Sequence, residues 1–280
     1  MRCGKNSDVS SSFNPATSAC PDRSYALPEF SRRWVSIWRR NYLVWRKLAG
    51  ESILGNIADP LFYMLGMGFG LGTMLPEVNG VTYIAFLAGG TVCYSTMFAA
   101  SFEVLYSGFA RMHVQRTWDG MMNAPITLDD VVFAEWIWAA SKSLLSGMAV
   151  LVVAAILGLT QNWLCVFIIP LAFLIGLCFA GLGLIMTSLA KTYDFFTFWF
   201  TLGLTPMVLM AGVFYPVENM HPALQWVSAI LPLTHAIEIS RPLLLGHVPQ
   251  NVLLHVAVLF AYGAVGFYAS LLIFRRRLLS

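Results

Sequence analysis

Lys142–Lys191 reads KSLLSGMAVLVVAAILGLTQNWLCVFIIPLAFLIGLCFAGLGLIMTSLAK, two lysines with no charged residue between them. One pass through a bilayer takes about 20 apolar residues, so a run of this length supplies two. Thr160, Gln161 and Asn162 divide it into a pass that starts near Phe133 and a pass that ends near Leu189. In hydrocarbon each backbone N–H and C=O must be satisfied within its own segment, so both passes are helices.

Outward from this run the pattern repeats. The 280 residues are 58% hydrophobic and 11% charged, whereas a soluble domain is about 25% charged. Charged residues bracket further apolar stretches, and the expected spans are residues 60–76, 79–103, 133–159, 163–189, 195–216 and 252–274. The expected fold class is therefore an all-α integral membrane protein with six transmembrane helices, its membrane domain covering residues 51–280. The first span carries Gly66, Gly68, Gly70 and Gly72. These form two small-xxx-small pairs, suited to close packing between two copies or within one chain.

Residues 216–246 fit no clean span. Pro216, Pro222, Pro232 and Pro242 interrupt them, which predicts an outer re-entrant or short-helix hairpin before the last span. His235, Glu238 and Arg241 recur at three-residue spacing on one helix face. They read as an ion-paired network that stabilises this hairpin. A His and Glu pair with no third ligand is a poor zinc site, and no metal is expected.

Upstream, residues 31–50 predict an amphipathic helix. Trp34, Trp38, Tyr42 and Trp45 share one sector, and Arg32, Arg33, Arg39, Arg40, Arg46 and Lys47 lie opposite. Such a helix lies flat at a membrane surface, aromatics inward and cations toward phosphates. Its alternative is a helix packed on another protein surface. Residues 1–30 are polar and lack an apolar signal-peptide core, so they predict a disordered tail.

Lysines and arginines fix the orientation. Of the 17, nine precede the first span, Arg111, Arg116 and Lys142 flank the second-to-third loop, Lys191 follows the fourth span and Arg275, Arg276 and Arg277 end the chain. Six spans put all of these on one side and leave Arg241 alone on the other. Both termini are thus expected in the cytoplasm. The cations sort by membrane side, and no nucleic-acid partner is expected.

The chain has no GxxxxGK[ST] phosphate cradle. It is expected to be no enzyme and to hold no cofactor, with any ATP and Mg bound by a partner. No span interior carries the carboxylate pair of a proton relay, and Glu103 and Glu135 read as carboxylates hydrogen-bonded near helix ends. The five cysteines form no CxxC pair and read as small apolar residues. A membrane-embedded acyltransferase is the rival from another class. It would rest on His113 near Asp119, or His235 near Glu238, and no nucleophile accompanies either pair.

A partner contact is expected in the loop from Ser107 to Glu135. Arg111 to Met122 can form a short helix carrying Met112, Trp118, Met121 and Met122; Ala124 and Pro125 stop it, and Thr127 caps the next helix with Asp130 three residues on. Such a helix suits a groove on a partner, or packs back on the chain's own spans.

Thr117-Trp118-Asp119-Gly120-Met121-Met122 with Pro125-Ile126-Thr127 resembles the cytoplasmic coupling segment of ABC-2 type exporter permeases. Phe214-Tyr215-Pro216-Val217, Leu231-Pro232-Leu233-Thr234-His235 and Arg241-Pro242-Leu243-Leu244-Leu245-Gly246 resemble the same family's outer segment. The runs 38–43, 52–60, 83–88, 115–118 and 275–279 narrow the resemblance to permeases of nodulation-factor exporters. That resemblance implies a bacterial inner-membrane protein working as two copies of itself with two ATP-binding subunits of the nodulation protein I type. It implies an amphiphilic cargo, a lipo-chitooligosaccharide, with another lipid-linked glycan or a drug-like amphiphile as the alternative. It also implies coupling to the ATPase through Arg116, Thr117, Trp118, Asp119, Met121, Met122, Pro125, Lys191 and Asp194. Tyr63, Phe69, Tyr94, Phe98, Phe102, Phe196, Trp199 and Phe200, in spans one, two and five, would line the cargo path. The bland alternative for each aromatic is lipid contact or core packing.

Overall fold

A computed structural model of the chain describes residue 28 and residues 31–279, apart from 76 and 79. The tail expected over residues 1–30 lies, save for Pro28, outside the described residues. Helix α1 (Trp34–Arg46) leads into α2 (Ala49–Gly70), and a short hairpin follows. Its strands β1 (Glu77–Val78) and β2 (Val81–Thr82) pair antiparallel with Glu77 opposite Thr82, and Gly80 turns the chain at φ +78°. Helix α3 (Tyr83–Phe102) continues through π-helical turns at Glu103–Gly108 and Ala110–Val114. The short α4 (Thr117–Met122), then α5 (Leu128–Ile156), α6 (Ile168–Leu189), α7 (Asp194–Phe198) and α8 (Thr205–Met210) follow. Helices α9 (Pro222–Ile230) and α10 (Pro232–Leu244) precede the last, α11 (Val252–Leu279).

Among the described residues, four helices are long and apolar enough to cross a bilayer: Tyr83–Val114, Leu128–Ile156, Trp163–Leu189 and Val252–Leu278. The other two expected spans are built differently. Helix α2 starts at Ala49, well before Asp59, and keeps Pro60 inside it. A turn of π-helix at Trp199–Leu204 joins α7 to α8, giving a shorter apolar helix over Asp194–Met210. At about 1.5 Å per residue that stretch is roughly 25 Å long, slightly under the hydrocarbon thickness.

Local chemistry sets the ends of these helices. The Thr127 hydroxyl accepts from the Asp130 amide at 3.2 Å, and Asp129 and Asp130 sit where the dipole of α5 favours negative charge. Pro222 and Pro232 open α9 and α10 at the first helical position, where no N–H is needed. Gly158 and Gly246, at φ +69° and +78°, close α5 and α10 in the left-handed conformation.

Close backbone approach organises the core. A Cβ on Gly181 of α6 would lie 2.5 Å from the Gly263 carbonyl of α11, and one on Gly266 would lie 2.8 Å from the Gly181 carbonyl carbon. Between α5 and α6, a Cβ on Gly176 would collide with the Ser143 hydroxyl, and the Trp136 indole donates to the Leu177 carbonyl at 2.8 Å. Lipid tails are as apolar as leucine, so helices associate through such contacts rather than by hydrophobic exclusion. The glycines singled out in the first span behave otherwise. Among the described residues, a Cβ added at Gly66, Gly70 or Gly72 would have no neighbour within 4 Å, and one at Gly68 would meet only Ile84.

The segment before α11 is held on α3 and on the turn after α8. The Ser240 hydroxyl donates to the Gly89 carbonyl at 3.1 Å, and Arg241 Nη2 donates to the Gly212 carbonyl at 2.7 Å. The Arg241 guanidinium also lies 3.7 Å over the Phe86 ring, a cation–π contact.

Gly181→Leu should force α6 and α11 apart and lower the yield of folded protein recovered in mild detergent several-fold, while Gly72→Ala should leave it unchanged. Size-exclusion chromatography of the two variants makes the comparison, and equal monodisperse yields would contradict this account of the core.

Candidate functional site

The C-terminal end of α3 and the N-terminal half of α5 enclose a buried charge cluster. Glu103, 2% exposed, sits where α3 passes into its π-helical turns, and Glu135 of α5 is 1% exposed. Arg111 reaches both: Nε donates to Glu135 at 2.9 Å, and Nη2 donates to Glu135 at 2.5 Å and to Glu103 at 3.0 Å. Lys142 Nζ donates to the second Glu103 oxygen at 2.6 Å, and the Trp138 indole donates to the first at 2.8 Å. Two carboxylates and two cations cancel, so the cluster is neutral as a whole. Each carboxylate accepts several charge-assisted bonds, as a buried carboxylate requires.

Helix α1 joins this cluster. Asn41, 4% exposed, donates to Glu135 at 3.3 Å. Trp38 donates to the Ser141 hydroxyl at 3.2 Å, Trp34 packs edge-on against Phe133, and Trp38 and Trp45 both pack against Trp138. The aromatic face of α1 thus rests on α5, where the sequence pattern alone pointed it into lipid. Burial holds the Arg40 guanidinium below its ordinary value, a shift that nearby Glu135 opposes.

The loop below the cluster is clamped at both ends. Arg116 adopts the left-handed conformation at φ +47°, and the Thr117 hydroxyl reaches back to the Arg111 carbonyl at 2.8 Å. This kink starts α4 at Thr117, so Arg111–Met122 is not one continuous helix. Asp130 accepts from the Ser31 amide and hydroxyl, each at 2.8 Å, and Arg33 donates to the Pro125 carbonyl.

Trp118 does not project from this loop. It is 1% exposed and packs edge-on against Phe274 of α11 at 5.2 Å, so it anchors α4 to the chain's own core. Met121 and Met122 are half-buried, whereas Arg116, Asp119, Gly120 and Pro125 are exposed, as are Lys191 and Asp194 in the turn after α6. The exposed surface of these two segments is therefore polar backbone and charge rather than indole.

Aromatic rings link α2, α3 and the α7–α8 segment. Tyr63 meets Tyr94 at 5.7 Å, Tyr94 meets Phe98 at 5.1 Å, and Phe98 meets Phe200 at 5.2 Å. Phe200 meets Phe102 at 6.4 Å, Phe102 stacks on Tyr106 at 4.5 Å, and Tyr106 meets Phe196 at 5.6 Å. Tyr106, Phe109, Tyr193 and Phe214 extend the row and escaped the sequence reading; Phe214 reaches Tyr63 at 6.4 Å, and Phe109 packs on Phe196 at 5.1 Å. Tyr106 and Phe109 follow Phe102 at helical spacing beyond Glu103, so the signal lay past the charge taken as the span's end. Tyr63 is 42% and Phe102 50% exposed, while Phe196 is fully buried. Phe69, 62% exposed, and Trp199, half-buried, make no ring contact with this row among the described residues.

The ion-paired network expected of His235, Glu238 and Arg241 is absent among the described residues. Glu238 is exposed, Arg241 turns the opposite way onto the carbonyls of α3 and Gly212, and His235 pairs with His255 of α11, their Nδ1 atoms 2.8 Å apart. One imidazole must donate and the other accept, and burial together with the neighbouring ring pushes the His235 pKa down. His113 packs against Phe109, and no hydrogen bond joins it to Asp119 among the described residues. No group of three metal-binding side chains occurs among the described residues.

Removing one partner of a buried ion pair costs about 3–5 kcal/mol, because the charge left behind is uncompensated. Arg111→Met should therefore lower the thermal unfolding temperature sharply, and adding Glu135→Gln to it should recover much of the loss. A double variant no better than the single one would show that the cluster is not coupled in this way.

Comparison with known proteins matches this architecture to one family. The ABC-2 type transporter family matches residues 30–245. Nodulation protein J of Bradyrhizobium diazoefficiens is 47% identical over 260 residues, covering 92% of this chain and 99% of that protein. Nodulation protein J of Rhizobium meliloti is 46% identical over 254 residues, covering 91% and 97%. The inner membrane transport permease YadH of Escherichia coli is 25% identical over 240 residues, covering 84% and 92%. The long apolar helices and this end-to-end similarity give one conclusion: the chain is a multi-pass membrane protein that belongs to the ABC-2 type transporter family and is homologous to nodulation protein J.

Proposed function

We propose that this chain is the permease subunit of an ATP-driven exporter that carries a lipo-chitooligosaccharide out across the bacterial inner membrane. The observation that carries the reading is the collinear match to nodulation protein J over 97–99% of two such proteins. In this reading the chain crosses the membrane six times. Helix α2 and the Asp194–Met210 helix supply the crossings beyond the four long helices, and both termini face the cytoplasm. Energy comes from two ATP-binding subunits of the nodulation protein I type, which hold the ATP and Mg. They dock on the exposed parts of 114–125 and 191–194, and the buried Trp118 passes their motion inward.

A second copy of the chain completes the transport path. Phe62, Tyr63 and Phe69 of α2 are 72%, 42% and 62% exposed, and a Cβ added at Gly66 or Gly70 would meet nothing within 4 Å among the described residues. A face built from small residues and exposed rings suits close approach of another helix. The aromatic row along α3 and the Asp194–Met210 helix then borders the space between copies. Ring faces suit sugar faces, and the surrounding apolar surface suits an acyl tail.

Two outcomes are expected. Cells fed labelled N-acetylglucosamine should retain labelled lipo-chitooligosaccharide when this gene is deleted and release it when the gene is restored. Unchanged early secretion in the deletion, in cells without a second exporter, would reject the cargo. Asp119→Lys combined with Gly120→Glu, at exposed loop positions, should cut export at least tenfold while membrane abundance stays normal. Wild-type export by that variant would reject the loop as the docking surface.

A further inference from the structure

The cytoplasmic end of α11 holds two separate loops at once. Arg275 makes a fork contact with Asp129 in the first turn of α5: Nε donates to Oδ1 at 3.0 Å and Nη2 to Oδ2 at 2.5 Å. Both side chains are at most 10% exposed. One residue earlier, Phe274 is fully buried and receives the Trp118 ring of α4. Two residues later, Arg277 Nη1 donates to the Ser188 and Ala190 carbonyls at 2.8 and 2.7 Å. Those carbonyls end α6, where four acceptors lack intrahelical partners and the helix dipole favours a cation. The turn 191–194 begins at the next residue.

From this geometry we infer that the end of α11 is a rigid link that makes the two cytoplasmic segments, 117–130 and 188–194, move as one body, with Arg275 and Arg277 as its positioning residues. The inference rests on the proposed function for the meaning of those segments, but the link itself is a property of this chain. Helix α11 is fixed along α6 by the Gly181, Gly263 and Gly266 contacts, so its end cannot drift from the end of α6. The fork contact then carries α5 along with that pair. A planar guanidinium held by both carboxylate oxygens resists rotation as a single-point contact does not. A push on either segment from an ATPase is therefore delivered to α5, α6 and α11 together.

The test measures distance and needs no cargo. Nitroxides are placed through Asn123→Cys and Thr192→Cys, both at exposed positions, in the full chain with its native cysteines replaced by serine. The protein is held in lipid nanodiscs and read by double electron–electron resonance. The parent should give one narrow distance that stays fixed when the ATP-binding subunit and ATP are added. Arg275→Ala with Arg277→Ala should broaden the distribution at least twofold, and Arg277→Lys alone should keep it narrow. Asp129→Arg should broaden it, and the swap Asp129→Arg with Arg275→Asp should narrow it again, a rescue that distinguishes a broken link from a misfolded chain. A double alanine variant as narrow as the parent, an unrescued swap, or a parent distance that shifts with ATP would each overturn the link. Failure of any ATP-binding subunit to associate would reject the proposed function and leave the nanodisc comparison readable.

Discussion

The constraint on which the packing of α1, α3 and α5 depends is the neutralisation of Glu103. A carboxylate 2% exposed within a 32-residue apolar rod cannot remain charged without partners. Its partners are Arg111, further along the same rod, and Lys142 and Trp138 on α5. Arg111 must then be balanced in turn, and Glu135 does so. Glu135 has a further acceptor site, which Asn41 fills from α1. One buried charge thus fixes the mutual position of α1, α3 and α5, elements far apart in sequence. The π-helical turns belong to the same requirement, since they set the spacing at which Glu103 and Arg111 meet on one side of the rod.

The first turn of α5 extends this tie to α11 and to the segment ahead of α1. Asp129 and Asp130 are adjacent, so they leave the helix in different directions. Asp129 takes Arg275 from α11 and Asp130 takes Ser31 ahead of α1. Their negative charge also opposes the positive end of the helix dipole, so the acids that open α5 are the acids that collect these two segments. The loop at 123–127 lies between these anchors and has little freedom to move apart from them.

Much of this architecture was legible in the sequence because the bilayer imposes simple rules. Uncharged runs located the long helices, and the capping pair Thr127 and Asp130 gave the start of α5. The bounds slipped where a charge was taken as an end. Glu103 lies inside a helix because Arg111 and Lys142 cancel it, and a linear reading cannot see a partner that arrives from another helix. Helical wheels showed correctly that the rings of α1 share a face, yet a wheel does not say whether protein or lipid meets that face. Trp118 was left between two readings for a related reason. An indole in a polar loop suits a partner's groove or the chain's own spans equally, and Phe274, more than a hundred residues away, is what it meets. The row from Tyr63 to Phe196 shows the converse: each ring was identifiable, and only folding reveals that Tyr106 and Phe109 belong with them.

The contacts divide the chain into a stiff side and an open side, and this bears on how a transporter of this kind can move. Helices α3, α5, α6 and α11 are bound by glycine contacts, buried ion pairs and bidentate hydrogen bonds. Helix α2 and the Asp194–Met210 helix lack such ties over much of their length: Phe62, Phe69, Phe198 and Leu202 are 62–72% exposed, and a Cβ at Gly66 or Gly70 of α2 would meet nothing within 4 Å among the described residues. Displacing the stiff group costs the separation of charges in a low dielectric, whereas sliding α2 exchanges one apolar neighbour for another. The π-helical turn at Trp199–Leu204 adds compliance on the open side, since one turn there carries a wider helical ring than its neighbours. Under the proposed function the rearrangement that admits cargo therefore belongs to the face where the aromatic row is exposed, and the charge cluster serves as the fixed frame against which that face moves.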